Sequence, residues 1–172
     1  MLKLMGAALV IGACTLTGRA VAKAFAERPR QLRALRSSLQ ELETEIVYGA
    51  VPMQEALEHL AARGDPLVRK FYSLVLTALE NMRGRTAAEA WSEALEKWQG
   101  STYLTQDDLV TLRVLGNSLG VSDRLDQQKH LRLAGEKLAL GEAGAWEVAA
   151  KTVKPWNYLG LLGGLVIVLI FI

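Results

Sequence analysis

The sequence has few of the residues from which catalytic and metal-binding sites are usually built. Its 172 residues include one cysteine and two histidines. A single cysteine cannot form an intramolecular disulfide, and the histidines have no partners at the spacing of zinc ligands. The glycine-rich phosphate loop, the nucleophile elbow and the His-Glu-x-x-His motif are absent from the sequence. The sequence therefore predicts a protein that is not an enzyme and that binds neither a metal nor a cofactor.

The signals of β-structure are missing as well. The sequence contains neither alternating β-branched runs nor the Asn-Gly and Asp-Gly pairs that form hairpins. Apolar residues recur instead at steps of three and four, which is the spacing of one helix face. One such stripe consists of Leu32, Leu35, Leu39, Leu42 and Ile46.

Prolines, glycines and capping residues divide the middle of the chain into about six helices. Proline favours the first turn of a helix, and Ser, Thr and Asp favour the position before it. Short connections between helices are typical of antiparallel bundles. The sequence thus predicts an all-α bundle over residues 27–153. The predicted helix starts are Pro29, Pro52, Asp65 with Pro66, Thr86, Thr105, and Ser122 or Asp123.

Uncharged segments lie at both ends of the chain, over Leu4–Gly18 and Trp156–Ile172. The second would form a helix of ~25 Å, close to the thickness of a bilayer core. We predict a transmembrane helix with a basic neck at 1–26 and a second transmembrane helix at 155–172.

Small residues recur within both segments at the four-residue spacing that allows close helix packing in lipid. They predict a packing face, either between the two segments or with neighbouring subunits. The residues proposed for this face are Gly12, Gly160 and Gly164.

Charge fixes the predicted orientation. Cations follow the first apolar segment from Arg19 to Arg36, and Lys151 and Lys154 precede the second. Because cytoplasmic flanks carry the excess of cations, the bundle is predicted to face the cytoplasm, with both termini outside. Residues 37–153 carry 17 Asp/Glu against 12 Lys/Arg. Such a surface suits basic protein partners better than phosphates, so no nucleic acid is expected.

Two other interpretations are open at this stage. Ile11–Cys14 resembles the lipidation signal of exported proteins, so the chain could be an exported helical protein lipidated at Cys14. It could also be a membrane regulator of an enzyme. A small residue within a membrane helix is the favoured interpretation of Cys14.

Three motifs carry a resemblance to the helical domain of the type II secretion system F family: Tyr48–Leu57, Gly84–Trp91 and Leu115–Gly120. The chain resembles the stage III sporulation protein AB family of spore-forming Firmicutes more closely, over nearly its whole length. The segments most specific to that family are Glu27–Leu32, Glu45–Gly49, Asp123-Arg124 and Gln127–His130.

The resemblance implies an adaptor in the channel complex between mother cell and forespore, needed for endospore formation. Its expected location is the outer forespore membrane on the mother-cell side. Its expected partners are a secretion-type ATPase, other membrane components of the channel and the lipid bilayer, with a possible homo-oligomer. The same motifs give candidate partner contacts at Arg28, Arg30, Glu45, Tyr48, Arg124, Gln128, Lys129 and His130.

One position departs from the pattern of the secretion family. The family has an acid after the first glycine of its Gly-Glu-x-x-Gly motif, and this chain has Asn117 after Gly116. An amide can supply the hydrogen bond of a carboxylate but not its charge.

Overall fold

The computed structural model describes residues 2–81, 86–120 and 124–171, and all regular structure within these ranges is helical. The all-α prediction with six helices is therefore confirmed. The elements are α1 (Leu2–Glu43), a π-turn (Thr44–Tyr48), α2 (Met53–Ala62), α3 (Pro66–Asn81), α4 (Ala87–Gln99), α5 (Gln106–Ser118) and α6 (Arg124–Phe171).

The two end helices are longer than predicted. Pro29 lies inside α1, so the prediction that it begins a helix is wrong, and Pro155 lies inside α6. An interior proline removes one backbone hydrogen bond and costs roughly 3 kcal/mol. Burial of apolar side chains on both sides, such as Ala22 and Leu32 around Pro29, offsets that cost. A local preference for helix starts is thus overridden by tertiary packing.

The chain forms two compact units. The hairpin unit comprises Met1–Pro29 and Ala143–Ile172, and the bundle unit comprises Arg30–Glu142. Both units contain part of α1 and part of α6, whereas α2 to α5 belong to the bundle unit alone.

Glycines bring α1 and α6 together in the hairpin unit. A Cβ atom at Gly160 would lie 2.9 Å from the Cys14 carbonyl oxygen, and one at Gly164 would lie 2.9 Å from the Ile11 Cα. On α1, a Cβ at Gly18 would lie 2.7 Å from the Trp156 carbonyl oxygen. Side chains at these positions would therefore force the two backbones apart. Because the residue numbers rise on one helix as they fall on the other, the helices are antiparallel.

Gly12 differs from the other glycines that the sequence assigned to this packing face. A Cβ at Gly12 would meet nothing within 4 Å. Gly18, which lies four residues after Cys14, packs against α6 instead. The structure places the apolar segments of α1 and α6 against each other.

The bundle unit has the core that the leucine stripe predicted. All five apolar residues from Leu32 to Ile46 in that stripe are buried. Helix α3 packs against α2 and α4, and α4 packs against α5. The end of α1 and the start of α6 run antiparallel, because Arg33 pairs with Glu142 and Glu43 pairs with Arg132.

Four aromatic rings form the centre of the bundle: Phe71, Tyr72, Trp91 and Trp98. The rings of Phe71 and Trp91 meet edge to face, with centroids 4.8 Å apart. Both indoles donate to backbone carbonyls, Trp91 to Leu112 at 2.8 Å and Trp98 to Leu67 at 3.0 Å. These bonds satisfy the only polar atom of each buried indole.

Helix caps agree with the sequence where they can be compared. Thr86 and Glu89 form the predicted capping box, and the Leu67 amide donates to the Asp65 carboxylate at 2.8 Å. Thr105 caps α5 as predicted, and Asp108 completes a second capping box that the sequence did not predict. The predicted caps Ser122 and Asp123 lie outside the described residues, as do Gly84 and Arg85.

The glycines of the Gly116–Gly120 motif have structural roles. A Cβ at Gly116 would overlap with the indole ring of Trp91. Gly120 follows the end of α5 with φ +81°, a left-handed conformation that glycine adopts without strain. Asn117 between them is exposed.

The contact at Gly116 predicts a destabilising variant. G116A should lower the free energy of unfolding by about 1–3 kcal/mol, because the added methyl must displace the Trp91 ring. G135A is the matched control, since a Cβ at Gly135 meets nothing within 4 Å. It should raise stability by about 0.5–1 kcal/mol through helix propensity. Denaturant unfolding of the full chain in detergent micelles measures both. Equal stability of the two variants would contradict the Trp91 contact.

Tyr72 predicts a loss of stability at alkaline pH. Burial raises the pKa of its hydroxyl far above the ordinary value of 10.0. The hydroxyl lies 3.1 Å from Ser38 Oγ, whose own proton goes to the Leu35 carbonyl. Above pH ~10 the unfolded chain releases this proton and the folded chain retains it, so stability falls as pH rises, by up to ~1.4 kcal/mol per pH unit.

Y72F should remove that part of the alkaline loss, whereas S38A should keep it. Both variants lose the same hydrogen bond, about 0.5–1.5 kcal/mol at neutral pH. The measurement is the unfolding free energy between pH 9 and 11. An alkaline slope that is the same in Y72F and S38A would show that Tyr72 does not cause it.

Candidate functional site

The bundle unit has a polar cluster where α1 ends and α6 begins. We call it the α1–α6 tip and define it by Glu43, Tyr48, Gln128 and Arg132. The first two residues belong to the end of α1 and the π-turn, and the other two lie on α6.

The π-turn shapes the first half of the tip. The Gly49 amide donates to the Thr44 carbonyl at 3.0 Å, and the Val51 amide donates to the Glu45 carbonyl at 3.0 Å. Between them Ala50 has φ +51°, a left-handed conformation that is strained for a residue with a Cβ. Single π-turns and strained backbone occur preferentially at functional sites.

Glu43 joins the two helices of the tip. Its Oε1 accepts from Arg132 Nε at 2.7 Å and from Gln128 Nε2 at 3.0 Å. The bond to Glu43, and then the Glu43 charge, raise the pKa of Arg132, so the guanidinium stays protonated. Because Arg132 is solvent-exposed, water screens this pair, and its main effect is to fix the register of the helices.

Tyr48 is the aromatic residue of the tip, and it is largely exposed. Its side chain is 70% exposed. The hydroxyl accepts from Gln128 Nε2 at 3.4 Å and from Arg132 Nη2 at 3.5 Å, both of which are long for such bonds. The hydroxyl is therefore oriented by weak bonds while the ring stays open to solvent.

Glu45 lies on the other side of the π-turn and contacts α2. Its Oε2 accepts from His59 Nδ1 at 3.0 Å. The sequence proposed Glu45 as a partner contact. The structure places its half-buried carboxylate in an internal pair, with Tyr48 bonded elsewhere.

The remaining candidate residues are spread over the chain. Lys129 is exposed and His130 half-buried in the first turns of α6, next to Gln128. Arg124 begins α6, and its side chain lies outside the described residues. Arg28 belongs to the hairpin unit, and Arg30 to the start of the bundle unit. The structure thus brings Tyr48 and Gln128 into one cluster, whereas Lys129 and His130 follow Gln128 in the sequence but point away from the face of α6 that contacts Tyr48.

A second polar contact joins α1 and α6 at the other end of the bundle unit. Arg33 Nε donates to Glu142 Oε1 at 2.8 Å, and Arg36 Nη1 lies 3.2 Å from Glu142 Oε2. The second contact is an ion pair, and among the described residues Glu142 Oε2 has no hydrogen-bond donor. The Glu142 side chain is only 7% exposed.

Sequence reasoning missed Glu43, Arg132 and Glu142. For Glu142 a signal was present, because it follows Leu138 by four residues in the buried stripe of α6 and precedes Ala145 by three. An acid within an apolar stripe requires a partner. Glu43 and Arg132 lie at ordinary surface positions, so the sequence held no comparable signal for them.

A groove separates α1 from α6 next to the tip. Its volume is about 340 Å³. It arises where Gly135 and Ala139 of α6 face Leu39 and Gln40 of α1, with the pair of Glu43 and Arg132 at its edge. In the part of the chain that the structure describes, no group of three His, Cys, Asp or Glu residues could hold a metal ion.

Helices α1 and α6 each contain a window apolar enough to cross a membrane by length and composition. These windows lie within Met5–Tyr48 and Leu125–Leu169. The apolar helix ends are compatible with association of the protein with a membrane.

Comparison with known proteins gives the family. The model of the family described as stage III sporulation protein AB matches residues 3–172. Stage III sporulation protein AB of Bacillus subtilis (strain 168) is 39% identical over 171 residues, 99% of each chain. A solved structure of a stage III sporulation protein AB matches with a TM-score of 0.67 and 35% identity, over 72% of this chain and 97% of that one. The resemblance stated from the motifs is confirmed: the chain belongs to the stage III sporulation protein AB family, and its role is in sporulation.

Proposed function

We propose that this chain is a non-enzymatic, membrane-anchored adaptor of the channel complex between mother cell and forespore. It links a cytoplasmic secretion-type ATPase to the membrane components of the channel. The anchor is the hairpin unit in the outer forespore membrane, and the bundle unit lies in the mother-cell cytoplasm.

The observation that carries this proposal is the continuity of α1 and α6. Each of these helices contributes an apolar segment to the hairpin unit and a core helix to the bundle unit. A protein whose membrane anchor and soluble body share two helices is suited to holding a partner at a membrane surface.

The α1–α6 tip is the proposed contact surface for the ATPase. Exposed Tyr48 lies there beside the donors of Gln128 and Arg132, and exposed Lys129 follows Gln128 in the sequence. Tyr and Arg are enriched among the residues that dominate binding energy in protein interfaces. Tyr48 ends the π-turn with its ring exposed, two residues before the left-handed Ala50.

The packing of Cys14 favours the adaptor over an exported lipoprotein. Cys14 lies within α1, and a Cβ at Gly164 would be 3.2 Å from the Cys14 Cβ. This position suits a small side chain between two helices.

The proposed orientation predicts a labelling pattern. In a chain with C14S, the single cysteine of S73C should react with a membrane-impermeant maleimide only after cells are lysed. Ser73 is exposed on α3 and caps no helix, unlike Thr86. A cysteine appended after Ile172 is the control and should react in intact vegetative cells. Labelling of S73C before lysis would invert the orientation.

The proposed contact surface predicts a binding defect. Y48A should weaken binding of the ATPase to the full chain by about 10- to 30-fold, the loss typical of an exposed aromatic anchor. Y103A is the matched control, because Tyr103 is also exposed but lies in the α4–α5 connection. Binding constants measured in micelles decide. Equal affinity of Y48A and Y103A would exclude the tip, and no binding by the unaltered chain would exclude the adaptor role.

A further inference from the structure

The hairpin unit carries four exposed cations at one level of its two helices. Arg19 and Lys23 lie on α1, and Lys151 and Lys154 lie on α6. We call these four residues the cation band. In the sequence they lie between the apolar segments and the residues of the bundle unit.

The glycine contacts set the register that brings these cations together. Gly18 meets the Trp156 carbonyl, so Arg19 follows that contact directly on α1 and Lys154 precedes it by two residues on α6. Lys23 and Lys151 each lie about one turn further from the apolar segments. Since a helical turn rises about 5.4 Å, the band is about one turn high.

The band itself and the apolar segments beside it contain no acids, and the nearest acids, Glu27 and Glu147, lie one turn beyond Lys23 and Lys151 on the side of the bundle unit. Between Leu2 and Ala26 and between Val148 and Ile172 the sequence has no Asp or Glu. Any ligand that approaches the band laterally therefore meets positive charge on both helices. The matching ligand is an anion.

Two aromatic residues show which anion fits. Trp156 is 39% exposed and Tyr158 64% exposed, and both follow Lys154 on the side of the apolar segment. Such amphipathic rings favour the interface between headgroups and hydrocarbon. They therefore set the cations of the band at the depth of the lipid phosphates.

We propose that the cation band is a binding site for the headgroups of anionic phospholipids, which gather around the hairpin unit in preference to neutral lipids. The inference rests on the membrane anchoring proposed above. It goes further, because anchoring alone requires only apolar segments and is indifferent to the headgroup. The lipid charge would then hold the hairpin unit at a fixed depth.

Trp156 provides a native reporter for this site. The full chain, carrying W146F to remove a second exposed indole, is reconstituted in vesicles of phosphatidylcholine and phosphatidylglycerol. Two samples with equal mole fractions of the two lipids are compared: in one the phosphatidylglycerol is brominated, and in the other the phosphatidylcholine. The quantity measured is the quenching of Trp156 fluorescence. The same chain with W156F gives the background from Trp91 and Trp98, which are buried in the bundle unit.

The unaltered band should enrich phosphatidylglycerol over phosphatidylcholine around Trp156 by about three- to tenfold. The variant R19Q/K23Q/K151Q/K154Q should reduce this ratio to about one. The matched control R69Q/K70Q/R113Q/K137Q removes the same charge from exposed positions of the bundle unit and should keep the preference. Conservative exchange within the band, R19K/K23R/K151R/K154R, should also keep it.

Salt and inorganic phosphate distinguish a lipid headgroup from free phosphate as the ligand of the cation band. Raising the ionic strength from 0.1 M to 1 M shortens the screening length from about 10 Å to about 3 Å and should lower the preference. Inorganic phosphate should act no more strongly than chloride at equal ionic strength. A specific loss of preference with phosphate would overturn the assignment to a lipid headgroup.

The quenching results distinguish a wrong assignment of the lipid site from a wrong assignment of the membrane anchor. Equal quenching by both brominated lipids in the unaltered chain would overturn the lipid site and leave the anchoring intact. A preference that survives neutralisation of the band would also overturn it. Absence of quenching by either lipid would show that Trp156 does not enter the bilayer, and the proposed anchoring would then be wrong as well.

Discussion

The fold depends on the antiparallel contact between α1 and α6, which each unit achieves with different chemistry. In the hairpin unit the backbones meet at Gly18, Gly160 and Gly164. In a membrane, as proposed for this unit, helices gain nothing from burying apolar side chains against each other, so close backbone packing would supply the attraction. In the bundle unit buried leucines supply it, since water drives their burial. The amino-acid composition of α1 and α6 follows this division.

Polar contacts add register to the leucine packing of the bundle unit. A leucine stripe can slide by a turn at moderate cost, whereas the Glu142 carboxylate has its two cations only when Arg33 and Arg36 face it. Burying such a carboxylate costs several kcal/mol, roughly what the pairs return. The net gain in stability is therefore small. A slipped register would leave the charge buried without a partner, which makes Glu142 a specificity device for this pair of helices.

The parts of the fold that were predictable from sequence are those decided by neighbours in the chain. The Thr86–Glu89 capping box and the Leu32–Ile46 stripe need only local spacing. The prediction of a helix start at Pro29 is wrong because the packing that buries Ala22 and Leu32 involves other parts of the chain, which the sequence around Pro29 does not reveal. Gly12 and Gly18 have equivalent spacing, and only the partner helix decides between them. Glu43 and Arg132 are 89 residues apart, so their pairing required the register of two helices.

In the tip, the residues that join the two helices differ from the aromatic residue that is exposed to solvent. Glu43 and Arg132 join the helices through a bond of 2.7 Å, so the join does not require the longer bonds to the Tyr48 hydroxyl. The left-handed Ala50, a conformation that costs about 1–2 kcal/mol, ends the π-turn and lets the Val51 amide donate to the Glu45 carbonyl. The cost is thus offset within the bundle unit by a hydrogen bond that ends the helix. The Tyr48 ring stays exposed, so the proposed partner would gain binding energy by covering it.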